Sequence, residues 1–268
     1  MKFTRHLPTI LRTFILIQLF VPLFGIAQSP GSAAPVKNIV LVHGAWADGS
    51  SWSKVIPLLQ SKGYHVVAVQ NPLTSIADDV AATNRIVDAQ DGPVILVGHS
   101  YGGAVITEAG NNPKVAGLVF VAAFAPDEGE TLQGMSQPFG MTPGLGEIRP
   151  IAEGYLVLTP KGITEDFAQD LTSEEKNTMV STQAVTPAAL LGTPITTAAW
   201  HTKPSWVVIS GNDRILAPEM QRSTAQRMHA RTITVATSHV AMLAKPKEVA
   251  AFIEEAAADS TKTQTIQK

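Results

Sequence analysis

Residues 95–105 read Ile-Leu-Val-Gly-His-Ser-Tyr-Gly-Gly-Ala-Val. An apolar run stops at Gly98, another starts at Ala104, and Ser100 stands between glycines at the junction. The first run has the β-branched density of a buried strand, and the second continues as a helix to about Gly110. Gly98-His99-Ser100-Tyr101-Gly102 therefore fits G-x-S-x-G in the context that gives the pattern a mechanical meaning, a strand before it and a helix after it. A turn this sharp leaves no room for side chains at 98 and 102. Ser100 is expected in a strained backbone conformation that lifts its hydroxyl above the sheet.

The alternation continues on both sides. Buried-strand runs lie at 38–42, 65–69, 93–97, 115–121, 205–209 and 232–235, and helical patterns at 53–60, 75–90 and 247–257. This pattern predicts an α/β fold, a doubly wound and mostly parallel sheet of about six strands with helices on both faces. Residues 128–200 interrupt it. They contain no buried-strand run, but short helix candidates and Thr172-Ser-Glu-Glu175, a capping-box pattern. A small helical cap inserted over the C-terminal edge of the sheet is expected there, on the side where such folds bind ligands. The domain is expected over 37–258, followed by a polar, frayed tail at 259–268.

A serine hydroxyl needs a base to take its proton. Of the seven histidines, His229 and His239 come late enough to follow an acid in the chain order Ser, Asp, His, and only His239 follows a strand. Two acids sit at strand ends, Asp127 and Asp213; Asp213, in Gly211-Asn-Asp directly after the fifth strand, is the better placed to orient His239. An oxyanion needs two aimed donors. The backbone N–H of Tyr101 is one, and that of Ala45, in His43-Gly-Ala-Trp46 after the first strand, is the other. Trp46, Trp200 and the side chain of Tyr101 are expected to line the pocket.

Composition narrows the setting. The chain has 268 residues, 45% hydrophobic and 16% charged, with a formal net charge of −2. That is ordinary for one globular α/β domain and argues against a nucleic-acid footprint. Without cysteine it has no disulfide, thiol nucleophile or cysteine metal site, and no His/Asp/Glu cluster has ligand spacing. No metal or cofactor is called for. Lys2, Arg5 and Arg12 flank the apolar run Thr13–Gly25, and Gly25-Ile-Ala27 offers small residues at −3 and −1. Residues 1–27 are thus expected to be a signal peptide cleaved after Ala27, with 28–36 a linker and the mature protein periplasmic or secreted, without a membrane partner.

The stretches Ile39-Val-Leu-Val-His-Gly-Ala-Trp, Val94-Ile-Leu-Val-Gly-His-Ser-Tyr-Gly-Gly, Gly211-Asn-Asp and Ser238-His-Val-Ala-Met-Leu together resemble the α/β-hydrolase fold enzymes. More narrowly they are similar to the branch of plant methyl esterases, hydroxynitrile lyases and their bacterial relatives. The resemblance covers about 37–127 and 203–255 and implies Ser100, Asp213 and His239 as a catalytic triad, with the N–H groups of Ala45 and Tyr101 as oxyanion hole. The lyases of this branch carry a lysine after the catalytic histidine and a threonine near the pocket mouth; here these positions hold Val240 and Trp46. The expectation is a serine carboxylesterase acting on a small, apolar ester. A non-catalytic binding protein of the same fold, or a cofactor-free lyase or haloperoxidase, is the alternative.

Overall fold

In the computed structural model, residues 35–266 are described, together with the first two; the expected leader at 1–27 and most of the linker at 28–36 lie outside the described residues. The elements follow in the order β1 (Asn38–Val42), α1 (Ile56–Ser61), β2 (His65–Ala68), α2 (Ile76–Asp88), β3 (Val94–His99), α3 (Gly102–Ala109) and β4 (Val115–Val121). The insertion then contributes α4 (Leu132–Ser136), β5 (Ile148–Pro150), β6 (Tyr155–Leu158), α5 (Ser173–Thr182), β7 (Thr186–Pro187) and α6 (Ala189–Gly192). The chain closes with β8 (Ser205–Ser210), α7 (Pro218–Arg227), β9 (Arg231–Val235), α8 (Ala241–Ala244) and α9 (Pro246–Ile266).

Six strands form one parallel sheet in the order β2-β1-β3-β4-β8-β9. Residues of β1, β3, β4 and β8 are buried along their whole length, as continuous apolar runs covered on both faces must be. Strands β2 and β9 are the edges and are partly exposed. The register aligns Val42 with Gly98 and His99 with Val121, so the C-terminal ends of β1, β3 and β4 come level. Every loop that leaves these ends opens on the same side of the sheet.

Two expectations are corrected. The cap is not purely helical: β5, β6 and β7 form a three-stranded antiparallel sheet of their own. These strands are two to four residues long and mostly half-exposed, too short for a period-2 pattern to emerge from the sequence. The expected frayed tail is also helical, since α9 runs on to Ile266. Its inner face remains anchored past residue 258. Ser260 is buried against Gly117 of β4, and Thr261 accepts the N–H of Val36 through Oγ1 at 3.1 Å. Among the described residues, no helix is long and apolar enough to cross a membrane.

The capping box of α5 forms as the sequence predicts. The Thr172 N–H donates to Glu175 Oε2 at 2.9 Å, and the Glu175 N–H to Thr172 Oγ1 at 3.3 Å. Glu175 also pairs with Lys54 Nζ at 2.5 Å, tying the cap to the rim of the main sheet. The Lys54 ammonium, seconded by Thr172, pulls the Glu175 carboxyl down to about 2. A depressed carboxyl stabilises the fold above its ordinary value near 4.5 and loses that contribution as pH falls toward 2. The pair is partly exposed, so its contribution is about 0.5 kcal/mol. Thermal melts should therefore show Glu175→Gln losing less stability than wild type between pH 4.5 and 2; equal losses count against the pairing.

The glycines after Ser100 make a second, larger prediction. A Cβ built on Gly103 would lie 2.0 Å from the Phe124 carbonyl oxygen, a backbone atom that cannot swing aside. Gly103→Ala should lower unfolding free energy by about 3 kcal/mol in a urea titration, and an unchanged midpoint would contradict this packing.

Candidate active site

The turn between β3 and α3 carries Ser100 at φ +52°, a left-handed conformation uncommon for a residue with a side chain. The surrounding glycines show what holds it there. A Cβ at Gly98 would come within 2.5 Å of the Gly102 carbonyl oxygen, and one at Gly102 within 2.6 Å of that of Val42. Strand, turn and helix are thus in backbone contact. The Ser100 N–H donates to the Val121 carbonyl at 3.2 Å, and its own carbonyl accepts from Gly103 and Phe124. This frame over-determines the strained residue, the condition under which such strain persists.

Asp213 and His239 meet in the interior. His239 Nδ1 lies 2.7 Å from Asp213 Oδ2, and both side chains are fully buried. Asp213 Oδ1 accepts the N–H groups of Ile215 and Leu216, at 2.8 and 3.0 Å. Oδ2 accepts a second donor, Gln221 Nε2, at 2.8 Å. Carboxylate oxygens accept, so the hydrogen on the bond between Asp213 and His239 is carried by Nδ1 of His239. Nε2, on the other side of the ring, is buried and has no hydrogen-bond partner among the described residues.

His239 also touches the elbow. His99, the residue before Ser100, lies with its Nε2 3.0 Å from the His239 carbonyl oxygen, and the two rings are 4.7 Å apart. Burial, aided by the neighbouring imidazole, pushes His99 well below the ordinary histidine range, so it remains neutral and serves as a donor to that carbonyl. Phe167, from the cap, packs edge-on against His239 at 5.0 Å. The cap holds the base loop by hydrogen bonds as well. Asp170 Oδ2 accepts the Ser238 N–H at 2.7 Å, and Gln169 Nε2 donates to the Asn212 carbonyl at 2.7 Å.

The loop that carries Ala45 borders the serine, as does Tyr101, which follows it in the chain. A Cβ on Gly44 would be 2.8 Å from Ser100 Cβ, so the loop after β1 passes directly against the serine. Neither the Ala45 nor the Tyr101 N–H has a hydrogen-bond partner among the described residues, and both residues are buried. Unpartnered N–H groups in buried residues are uncommon.

Other expected residues lie elsewhere. Asp127, the competing acid, bonds His201 Nε2 at 2.8 Å on a half-exposed surface and makes no contact with His239. The Tyr101 side chain does not line a pocket. Its hydroxyl donates to buried Asp79 Oδ2 at 2.6 Å, because α2 and α3 pack together; the Leu73 N–H serves Oδ1 of the same carboxylate at 2.9 Å, so both of its oxygens are bonded. Trp200 is likewise a packing residue: its Nε1 donates to the Pro126 carbonyl, and Arg227 lies over its ring. Trp46 lines a cavity of about 260 Å³ between the loop after β1 and α5, with Nε1 bonded to the Leu156 carbonyl of β6. A larger cavity, about 800 Å³, lies between core and cap. Phe124, Leu132, Met141, Leu145, Ile148 and Leu191 are among its lining residues. Of its lining residues, Phe124 also donates its backbone N–H to the Ser100 carbonyl at 3.1 Å. Among the described residues, no three His, Asp or Glu side chains are grouped to hold a metal ion.

Gln221 and Phe167 are site residues that pattern reading passes over. Gln221 stands eight positions after Asp213 on the first turns of α7, and Phe167 lies in a cap segment without a fold signature. Neither has a local signal; both arrive by tertiary packing.

This constellation defines a class. A profile of the alpha/beta hydrolase family matches residues 39–252, and the chain belongs to that family. Among relatives, a pyrethroid hydrolase of Sphingobium wenxiniae is 35% identical over 153 residues, 50% of this chain and 52% of that one. Methylesterase 2 of Arabidopsis thaliana is 33% identical over 129 residues, 40% of this chain and 48% of that one. The chain spans about half the length of these curated relatives. The crystal structure of a pyrethroid hydrolase from Sphingobium faniae superposes with a TM-score of 0.73 over 83% of this chain and 97% of that one, at 24% identity, a likeness of fold.

Gln221 supplies this site with a prediction. Its Nε2 bonds Asp213 Oδ2 and the Leu216 carbonyl, while its Oε1 accepts the Ser210 N–H. Gln221→Met removes a hydrogen bond to a charged group, worth roughly 1.5–3 kcal/mol. Turnover that depends on the Asp213–His239 pair should fall at least about tenfold; unchanged turnover in a folded variant would show that Gln221 does not steer the carboxylate.

Proposed function

We propose that the chain is a serine carboxylesterase that cleaves small, apolar esters through an acyl-enzyme. The observation that carries this reading is the buried Asp213–His239 pair, with His239 Nε2 unpartnered and its ring 4.7 Å from that of His99, the residue before the strained Ser100. Ser100 Oγ attacks the ester carbonyl as His239 Nε2 takes its proton. The tetrahedral oxyanion is met by the N–H groups of Ala45 and Tyr101. His239 then protonates the departing alcohol, and a water activated by the same nitrogen releases the acid. Asp213 remains ionised throughout and holds His239 in the tautomer with Nδ1 protonated.

The cavity of about 800 Å³ that shares Phe124 with the frame of the elbow bears on the substrate class. Its apolar lining by Phe124, Leu132, Met141 and Leu191 favours an ester with an apolar acyl or alcohol group and offers no charged side chain to a carboxylate or phosphate. The relatives, a pyrethroid hydrolase and a methylesterase, agree with ester cleavage. Val240 beside His239 offers no ammonium of the kind a cyanide leaving group needs. The reading of residues 1–27 as a leader puts the mature enzyme outside the cytoplasm.

Fluorophosphonate labelling tests the nucleophile. Wild type should be labelled at Ser100 and turn over short-chain aryl and alkyl esters, while Ser100→Ala should lose labelling and at least about 10⁴-fold in kcat. Labelling that survives Ser100→Ala, or a wild type inert to both probe and ester panel, defeats the proposal.

A further inference from the structure

His43 closes β1 and is 1% exposed, yet it lies outside the Asp213–His239 pair. Both of its ring nitrogens are engaged. The backbone N–H of Asn71 donates to Nε2 at 2.9 Å, and since an N–H can only donate, Nε2 carries the lone pair. The ring proton is therefore on Nδ1, which lies 2.9 Å from the Gly44 carbonyl oxygen and donates to it. Asn71 Nδ2 returns a bond to the His43 carbonyl at 3.1 Å, so the ring is fixed from both sides. Burial lowers the His43 pKa, keeping the neutral form that this pattern requires. With both nitrogens committed, His43 has none free to carry a proton in a reaction.

The Gly44 carbonyl belongs to the same peptide unit as the Ala45 N–H. Among the described residues no peptide bond is cis, so this C=O and N–H point in opposite directions. Gly44 lies against Ser100, and the Ala45 N–H has no partner among the described residues. Fastening the carbonyl on one side fixes the direction of the N–H on the other. The bond also polarises the amide, which makes its N–H a stronger donor. On the far side of Ala45, the Trp46 N–H is bound to Thr186 Oγ1 at 3.3 Å, so the neighbouring peptide is held too.

We propose that His43 is a positioning residue of the oxyanion hole, aiming the Ala45 N–H at the developing oxyanion through its Nδ1–H bond to the Gly44 carbonyl. The proposal rests on the serine-esterase reading above and extends it to a residue that does not touch substrate. It predicts a loss confined to the transition state, since the donor is called upon when the carbonyl oxygen gains charge.

Substitution at 43 separates the donor from the ring. In His43→Asn the side-chain amide reaches about where Nδ1 stood and can donate to Gly44. In His43→Gln the amide reaches toward Asn71 and leaves Gly44 unbonded, and His43→Leu has no donor. Ester hydrolysis and the rate of fluorophosphonate labelling, whose phosphoryl oxygen occupies the same hole, are measured on variants that melt cooperatively. Leu and Gln should lower kcat about 10–100-fold with KM changed less than about threefold, and slow labelling in parallel; Asn should recover most of both. A folded Gln or Leu variant with wild-type kcat overturns the proposal, as does a loss carried by KM alone or an Asn variant no better than Gln. If Leu fails to fold, the Asn and Gln pair decides by the same criterion. Wild type that is not labelled at Ser100 defeats the esterase reading instead, a result distinguishable from any of these.

Discussion

A backbone-to-backbone contact at the end of β3 sets the geometry of everything above the sheet. Gly98 touches Gly102, Gly102 touches the end of β1, and Gly103 touches the loop after β4, each at a distance that admits no Cβ. The contact forces Ser100 to φ +52° and brings three strand ends to a single point. Strain at one residue is sustained because its neighbours cannot relax without breaking the sheet. Ser100 and the N–H groups of Tyr101 and Ala45 all inherit their positions from this junction.

The histidine and its carboxylate reach the same point from the other half of the sheet. Asp213 follows β8 and His239 follows β9, and both side chains are held by more bonds than the pair itself supplies. Gln221 and two backbone N–H groups hold the acid, while His99, Phe167 and the cap residue Asp170 hold the base or its loop. A fully buried carboxylate held by one neutral imidazole alone would struggle to repay its desolvation. The additional donors to Asp213 resolve that difficulty. The cap belongs to the site as well, since its bonds to Asn212 and Ser238 reach the acid loop and the base loop together.

What depends on a residue's place along one element was legible in the sequence. The six strands came from uninterrupted apolar runs, and the turn after β3 from the glycines around Ser100. A side chain's direction, which depends on what packs against it, was not. Tyr101 was expected in the pocket because it follows the serine, but α2 presents Asp79 to its hydroxyl. Trp200 was expected there as a large aromatic near the insertion, yet its indole is spent on Pro126 and Arg227. The short strands of the cap escaped notice because two to four residues carry no readable period.

By itself the sequence determined the parallel sheet and the elbow and pointed to Ser100, Asp213 and His239, because glycine tolerance, β-branched runs and chain order are local properties. Only the tertiary structure showed what each acid meets, placing Asp213 on His239 and Asp127 on His201. It alone recruited Gln221, Phe167 and Asp170, and gave His43 a bond to the peptide beside the nucleophile. These residues are distant in the chain or carry no motif, and their hydrogen bonds exist only once the strand ends have been drawn together.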